Sequence, residues 1–426
     1  MRQLVSAFLE RYLNLTVIRF VAITFLVMGL LNLAIACWTS KGGRTIYGSY
    51  AGGDYSTFYI AGTILNEYPS DRLYDFGLQS KLLHSLFTDI PAKEELPFIN
   101  PPFFALLFRP FSLLPYISSY LAWVAVSTSL YVAGFMLIQK TLYAIPSNAS
   151  KIGLLLALSF EPFLVECLIG GNSSAFGFFA IALALHFERL GRLTESGMAF
   201  GFCLYKPTFL LLILPMLLVA RRAKTLLGVV ISGVFLAGVS LLALGWQPCT
   251  DYMKILLRIS HTSWNVAEVF RTFKYVDIIS FFRLLLGGVT PFTWVIIFIA
   301  VLVSIPFLID VWWKFNRFDE DRRDLVWACT LTWTAIFNLH FAIYDTILVV
   351  VAILLTANVL YRYSRDTAAV PTPAFRGLIV LLYLAPWVSQ HMALFIRFQI
   401  FTVVIAATGL YQLLLARASN VITGRN

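Results

Sequence analysis

The stretch TLLGVVISGVFLAGVSLLALG, residues 225–245, contains no charged side chain. About 20 apolar residues are enough for a helix to cross the hydrocarbon core of a bilayer. Similar apolar runs lie on both sides of this stretch, at residues 17–38, 117–139, 151–170, 173–187, 291–312, 325–339, 344–361, 375–390 and 394–415. The repetition predicts an all-α, polytopic membrane bundle.

The composition supports the same class. Of the 426 residues, 59% are hydrophobic and only 13% are charged, and the mean hydropathy is +0.80. A soluble domain carries roughly a quarter charged residues, so an ordinary soluble enzyme and a disordered chain are both excluded. The net charge of +10 fits a membrane protein whose Lys and Arg lie in cytoplasmic loops, and no nucleic-acid partner is expected. We predict a single integral-membrane domain over residues 1–426.

Residues 197–220 form an apolar stretch that Lys206-Pro207 interrupts near its middle. Basic residues flank both ends of the stretch, and two short half-spans with Lys206 at the apex place both flanks on one side of the membrane. This hairpin gives about twelve crossings with both termini in the cytoplasm, because most basic residues then lie in short inner loops.

Two long outer loops follow from this topology, at residues 39–116 and 246–290. Apolar residues recur there at helical spacing with charges between them, which is typical of helices lying in the membrane interface. Such helices are expected near residues 55–65, 73–87, 253–259 and 278–286. The Pro-broken stretch 101–115 is too short to cross and is expected to dip into the membrane and turn back.

Ionisable residues near the outer ends of spans are candidates for chemistry, because charge within a bilayer is costly unless it has a partner or a role. Asp54 follows Gly52-Gly53 and precedes an expected interfacial helix. Its carboxylate is either a cap for that helix or a general base at the membrane surface.

Two further candidates lie on the same outer face. His340 and Tyr344 are four residues apart and share a helical face, as either a satisfied polar cluster or a site for a phosphate or sugar. Lys206 either snorkels towards the interface or binds an anion. Glu161 and Glu166, in or near a span, are expected to pair with a basic residue such as Lys206 or Arg397.

Motifs for other chemistries are absent from the sequence. It contains no Walker loop, no dinucleotide fingerprint, no HExxH and no nucleophile elbow. The five cysteines are scattered and lack the spacing of metal ligands or of a disulfide framework. We expect no cofactor and no metal.

Short motifs along residues 50 to 360 occur together in a recognisable order. They are Gly53-Asp54-Tyr55, Tyr59-Ile60-Ala61, Arg72-Leu73-Tyr74-Asp75, Asn100-Pro101-Pro102, Arg109-Pro110-Phe111-Ser112-Leu113-Leu114-Pro115-Tyr116, Gly171-Asn172-Ser173, Lys206-Pro207 and His340 with Tyr344-Asp345. The chain thereby resembles glycosyltransferase family 87, whose members include the polyprenol-phosphate-mannose-dependent mannosyltransferases of phosphatidylinositol mannoside synthesis. It departs from the family in having Gly171-Asn172 where relatives often have Gly-Gln-Asn, and Leu339 where Pro is usual.

The resemblance implies a GT-C fold with an active site on the outer face of the plasma (inner) membrane. It places the family's acidic residue, the expected general base, at Asp54. It places the His expected near the donor phosphate at His340, with Lys206 and Tyr344 as further phosphate-binding candidates. The remaining expected substrate-binding residues are Tyr55, Asn100, Asn172 and Asp345.

The function expected from these residues is transfer of a sugar, mannose first among the candidates, from a polyprenyl phosphate sugar to a lipid-linked or glycan acceptor. Asp54 would act as the base in a single inverting displacement. Two alternatives remain open on the sequence alone: a lipid or solute transporter that uses the same outer cavity, and an accessory membrane subunit without catalysis.

Overall fold

The computed structural model describes residues 15–39, 50–87, 97–142, 144–262, 272–288, 290–367 and 373–418. Within these ranges the regular structure is helical, and one isolated antiparallel bridge joins Tyr275 to Ala342. The predicted all-α class is therefore confirmed. The α-helices, in chain order, are α1 (Leu15–Thr39), α2 (Tyr55–Glu67), α3 (Phe76–Leu86), α4 (Pro102–Leu106), α5 (Tyr116–Thr141), α6 (Ser147–Leu158), α7 (Ser174–Arg189), α8 (Leu193–Gly201), α9 (Ile213–Val219), α10 (Ala223–Leu244), α11 (Trp246–Thr262), α12 (Ile278–Leu286), α13 (Pro291–Trp313), α14 (Glu320–Ile336), α15 (Ile347–Thr367), α16 (Pro373–Ile396) and α17 (Ile400–Arg417).

Seven helices in the described ranges are long and apolar enough to cross a membrane, namely α1, α5, α10, α13, α15, α16 and α17. An eighth crossing is possible where α6 meets a π-helix, Pro162–Ile169, at a bend of 47°. Each of these matches a span predicted from the sequence. The protein is a multi-pass membrane protein.

The other predicted crossings correspond to shorter helices. The predicted spans 173–187 and 325–339 are α7, with 16 residues, and α14, with 17 residues. Both helices are largely buried among their neighbours, so their apolar side chains fill the interior of the bundle rather than face lipid. The count of about twelve crossings stays a prediction.

The chain breaks at Lys206, as the sequence predicts. Lys206 has φ −143° and ψ 81°, and it lies between two short 3₁₀-helices, Phe202–Tyr205 and Pro207–Leu210. Pro207 has no N–H to continue a helix through this point. Arg222 forms an ion pair with Glu188, so the two ends of the broken segment lie side by side and Lys206 is at the far end of a hairpin.

The four expected interfacial segments are all helical, as α2, α3, α11 and α12. The Pro-broken stretch 101–115 contains α4 and a 3₁₀-helix, Phe111–Leu113, and it packs tightly against α2. A Cβ added at Gly62 in α2 would lie 2.4 Å from the carbonyl oxygen of Phe108, so only glycine permits this approach. The position of these segments relative to the membrane stays a prediction.

One end of the bundle carries a group of ion pairs that we call the basic cluster. Its arginines are Arg189, Arg222 and Arg362, and its carboxylates are Glu188, Glu320, Asp321 and Asp324. The cluster joins the ends of α7, α14 and α15, which are far apart in the chain. It lies at the foot of the Lys206 hairpin, whereas the candidate site lies at the tip.

Candidate functional site

Two glycine turns form the floor of the site. Gly52 (φ +64°) and Gly171 (φ +73°) both adopt the left-handed conformation that favours glycine. The turns lie against each other: Gly52 N–H donates to the carbonyl of Ile169 at 3.3 Å, and Asp54 N–H donates to that of Gly170 at 3.0 Å. Residues more than a hundred positions apart are thereby fixed in one short backbone contact.

Aromatic side chains on one face of α5 hold the two turns in place. Tyr116 Oη donates to the Gly52 carbonyl at 2.9 Å, Tyr120 Oη donates to that of Ile169 at 2.8 Å, and Trp123 Nε1 donates to that of Gly171 at 3.0 Å. Spacings of four and seven residues put the three side chains on one helical face. A membrane-spanning helix thus anchors both turns.

Asp54 projects from the first turn. It precedes α2, but its side chain makes no capping hydrogen bond to that helix, so the capping interpretation is wrong. Its Oδ2 accepts a hydrogen bond of 2.9 Å from Asn172 Nδ2, and the residue stays partly exposed. The carboxylate is therefore held by an amide from the other turn with one oxygen left for another partner.

A polar chain leads from Asn172 to Lys206. Asn172 Oδ1 accepts from the backbone N–H of Ser174 at 3.1 Å, and Ser174 Oγ lies 2.6 Å from Asp345 Oδ1. Asp345, which is fully buried, forms an ion pair of 2.7 Å with Lys206 Nζ. Asn172 and Asp345 thus connect Asp54 to a lysine, and their direct contact with substrate stays a prediction.

The Lys206 ammonium lies beside an aromatic ring at the tip of the hairpin. Its Nζ is 4.5 Å from the ring centroid of Tyr344, within cation–π distance. Asn100 Nδ2 donates to the carbonyl of Tyr205 at 3.2 Å, and Tyr74 Oη donates to the Asn100 carbonyl at 2.6 Å. Asn100, predicted to bind substrate, therefore holds the backbone directly before Lys206.

A second lysine, Lys274, pairs with Glu166 of the π-helix at 2.9 Å. Gln390 Nε2 donates to Glu166 at 2.8 Å and to Glu161 at 3.1 Å. The prediction that Lys206 or Arg397 partners these glutamates is wrong in its choice of base, because Lys206 pairs with Asp345. A π-helix is frequent at functional sites, and here it presents Glu166 to the site.

Both lysines act on Asp54. Burial raises the pKa of Asp54 above the ordinary carboxyl value, and Glu166 raises it further. Lys274, the Asn172 hydrogen bond and Lys206 oppose this shift, with Lys274 the strongest of the three. A carboxylate whose pKa is raised while cations stand nearby suits a general base that must take up a proton.

His340 lies beside Tyr275, with ring centroids 5.5 Å apart. Its backbone has φ +57°, a conformation that non-glycine residues adopt rarely, and it is held by neighbours: Phe341 N–H donates to the buried Asp277 at 3.0 Å. Burial and the nearby Arg283 lower the pKa of His340. Near neutral pH His340 is therefore an uncharged hydrogen-bonding group rather than a cation.

Tyr55 does not line the site. Its side chain is fully buried, its hydroxyl bonds to Ser119, and its ring packs against those of Tyr120 and Trp123. The binding of substrate by Tyr55 stays a prediction. The residue supports the Asp54 turn from behind.

The sequence analysis missed Lys274, Gln390 and Ser174. Lys274 is one of several basic residues in the loop 246–290, and nothing local distinguishes it. The sequence did contain one signal for Lys274, because it has an aromatic residue on each side, Phe273 and Tyr275. Flanking aromatic residues indicate a segment that packs against the protein rather than one that faces solvent.

The fold and this site together define a class: a multi-pass helical membrane protein with a held carboxylate between two lysines at one end of the bundle. The chain matches the family model of glycosyltransferase family 87 over residues 98–339, more than half of its length, and it belongs to that family. No curated protein and no solved structure gave a significant match.

Family membership and the apolar helices make the protein a membrane glycosyltransferase, which uses a sugar donor and an acceptor. The matched region contains Asn100, Asn172 and Lys206, whereas Asp54 and His340 lie outside it. The roles of the site residues therefore depend on their own geometry.

Proposed function

We propose that the protein is a GT-C enzyme that transfers mannose from a polyprenyl phosphate sugar to a lipid-linked or glycan acceptor. The observation that carries this proposal is the Asp54 carboxylate, fixed by Asn172 at 2.9 Å and flanked by Lys206 and Lys274. A base beside cations is what a displacement with an anionic leaving group requires.

In the proposed reaction, Asp54 removes the proton from an acceptor hydroxyl as its oxygen attacks the anomeric carbon of the donor. A new C–O bond forms on one face of the sugar while the bond to the phosphate oxygen breaks on the other, so a β-linked donor gives an α-linked product. One carboxylate is enough, because a single displacement forms no covalent intermediate on the protein.

The leaving group is a polyprenyl phosphate, which gains negative charge as it departs. Lys206 supplies positive charge, while His340 and Tyr344 are proposed to donate hydrogen bonds to the phosphate oxygens. Lys206 is suited to this role because its side chain is 21% exposed, so an anion can reach it beside Asp345.

The orientation of the bundle supports a site on the non-cytoplasmic face of the plasma membrane. The basic cluster collects arginines at the end opposite the site, and positive residues favour the cytoplasmic side. With this orientation we propose about twelve crossings and cytoplasmic termini, with the donor's polyprenyl chain in the surrounding bilayer.

Incubation of the purified protein in lipid vesicles with radiolabelled polyprenyl phosphate mannose and a lipid extract tests the proposal. An enzyme produces a new labelled glycolipid, which thin-layer chromatography detects. A transporter instead moves unmodified label across the vesicle membrane, and an accessory subunit does neither. Either of the last two results would overturn the proposed function.

A further inference from the structure

Two ion pairs of the same kind lie near Asp54. In each pair a lysine binds a buried carboxylate: Lys206 binds Asp345 at 2.7 Å, and Lys274 binds Glu166 at 2.9 Å. Both lysine side chains are partly exposed, at 21% and 29%, whereas the carboxylates are 0% and 8% exposed. Each ammonium is therefore reachable from the site while its partner stays behind it in the protein.

Tyr344 contacts the surroundings of both pairs. The Lys206 ammonium is 4.5 Å from the centroid of its ring, and its carbonyl oxygen accepts a hydrogen bond of 3.8 Å from Sγ of Cys167, the neighbour of Glu166 in the π-helix. The two lysines thus border one polar space around Asp54 rather than two separate sites.

The segment that carries Lys274 is fixed by contacts on both of its sides. Gln399 Nε2 donates to the carbonyl of Phe273 at 2.7 Å, and Val276 N–H donates to that of Phe341 at 2.8 Å. Lys274 is consequently placed by the same contacts that hold the His340 segment, although the two are far apart in sequence.

We propose that Lys274 is a second cationic ligand for the donor phosphate, in addition to Lys206, and that it leaves Glu166 to bind the phosphate as the sugar is transferred. This inference rests on the proposed function and assigns a contact with the donor to a residue that the reaction above uses only as a charge near Asp54. The ligand class is a phosphate monoester on an apolar chain.

The charge change during the reaction explains the need for a second cation. A sugar phosphodiester carries one negative charge, whereas the released phosphate monoester carries between one and two near neutral pH. When the anomeric C–O bond breaks, its electron pair stays on the phosphate oxygen, and Lys274 can neutralise the added charge. Glu166 keeps hydrogen-bond donation from Gln390 after the lysine leaves, at 2.8 Å.

The test measures binding of a polyprenyl phosphate to the purified protein in nanodiscs, with the uncharged polyprenol as the baseline. Lys274→Gln is expected to weaken binding by about tenfold, the equivalent of one lost charged hydrogen bond. Glu166→Gln is expected to tighten binding, because Lys274 then has no carboxylate to leave.

The matched controls are Lys254→Gln and Asp251→Asn, which break a lysine–carboxylate pair of 2.8 Å on the exposed surface of α11. Both controls are expected to stay within about twofold of wild type, since exposed pairs contribute little.

A purely structural role for the Lys274–Glu166 pair predicts that both of its variants change binding in the same direction, and that result would overturn the inference. Unchanged binding in Lys274→Gln would overturn it as well. If the wild-type protein binds polyprenyl phosphate no more tightly than polyprenol, the result contradicts the proposed class of donor, and with it the proposed function. Because the two variants are expected to change the affinity for polyprenyl phosphate in opposite directions, the test stays valid even if one of them folds poorly.

Discussion

At the scale of single residues, Asp54 is defined by what surrounds it. Its own backbone sits in a glycine turn, its carboxylate is held by Asn172, and Lys274 is the strongest nearby charge. Burial raises its pKa while Lys274 lowers it, so the protonation state of Asp54 depends on a residue from a distant loop.

This balance predicts a shift in the pH dependence of transfer. The base must be unprotonated, so kcat/KM falls as the pH drops through the raised pKa of Asp54. Lys274→Gln removes a cation that lowers this pKa, and the acid limb of the profile should therefore move to higher pH. An acid limb that stays in place, or that moves to lower pH, would argue against the proximity of the two groups. Lys254→Gln is the control.

At the scale of elements, the site depends on two glycine turns pressed together and tied to α5. A Cβ at Gly171 would lie 2.5 Å from Tyr55 Cβ, so this turn has no room for a side chain. Gly191, in the turn between α7 and α8, has almost the same φ of +72°, yet a Cβ there would meet nothing within 4 Å. A comparison of alanine variants at Gly171 and Gly191 therefore separates the effect of backbone strain from the effect of steric crowding.

Gly191→Ala is expected to cost about 1–2 kcal/mol through backbone strain alone and to leave transfer intact. Gly171→Ala carries the same strain and also pushes the two turns apart, which displaces Asn172 and Asp54. Because a shift of about 1 Å can cost about a hundredfold in rate, its transfer activity should fall by that order. Thermal unfolding and transfer assays measure the two effects, and equal activities in the two variants would contradict the crowding argument.

At the scale of the whole molecule, the hairpin tip and the basic cluster are at opposite ends of the bundle. The ion pair between Arg222 and Glu188 closes the foot of the hairpin, and Lys206 reaches the site at its tip. With the proposed site on the outer face of the membrane, the basic cluster would lie on the cytoplasmic face.

Cysteine labelling tests this orientation. Lys254→Cys on α11 should react with a membrane-impermeant maleimide in intact cells, because Lys254 is exposed and its helix packs through Tyr252 on Tyr74, which bonds to Asn100 beside the site. Arg192→Cys, beside the basic cluster, should react only after permeabilisation. The partly buried Cys37 and Cys249 are first replaced by Ser to remove background. The reverse labelling pattern would contradict the orientation.

The sequence predicted those features that depend on local pattern. Long apolar runs predicted the seven spans. Lys206-Pro207 predicted the break, since a charged residue followed by proline can be recognised in a sequence as an interruption of an apolar helix. The pairing of Lys206 with Asp345 joins residues 139 positions apart, and Lys274 with Glu166 joins residues 108 apart. No local pattern encodes such partners, so Lys274 was overlooked and Glu166 was given the wrong base.

Capping by Asp54, one of the two roles that the local sequence allowed, is absent for a related reason. An aspartate before a helix usually caps it, but here the Asn172 amide, 118 positions away, takes the carboxylate instead. A tertiary contact thus excludes one of the two roles that the local sequence allowed, and the general-base role stays a prediction.

The most direct measurement is the transfer rate of purified Asp54→Asn with polyprenyl phosphate mannose. An asparagine can still accept the hydrogen bond from Asn172, so the turn is kept while the base is removed. We expect turnover to fall by about 10²–10⁴-fold with donor binding retained, whereas Asp71→Asn, an exposed aspartate in the same loop, should match wild type. Full activity in a folded Asp54→Asn protein would contradict the account.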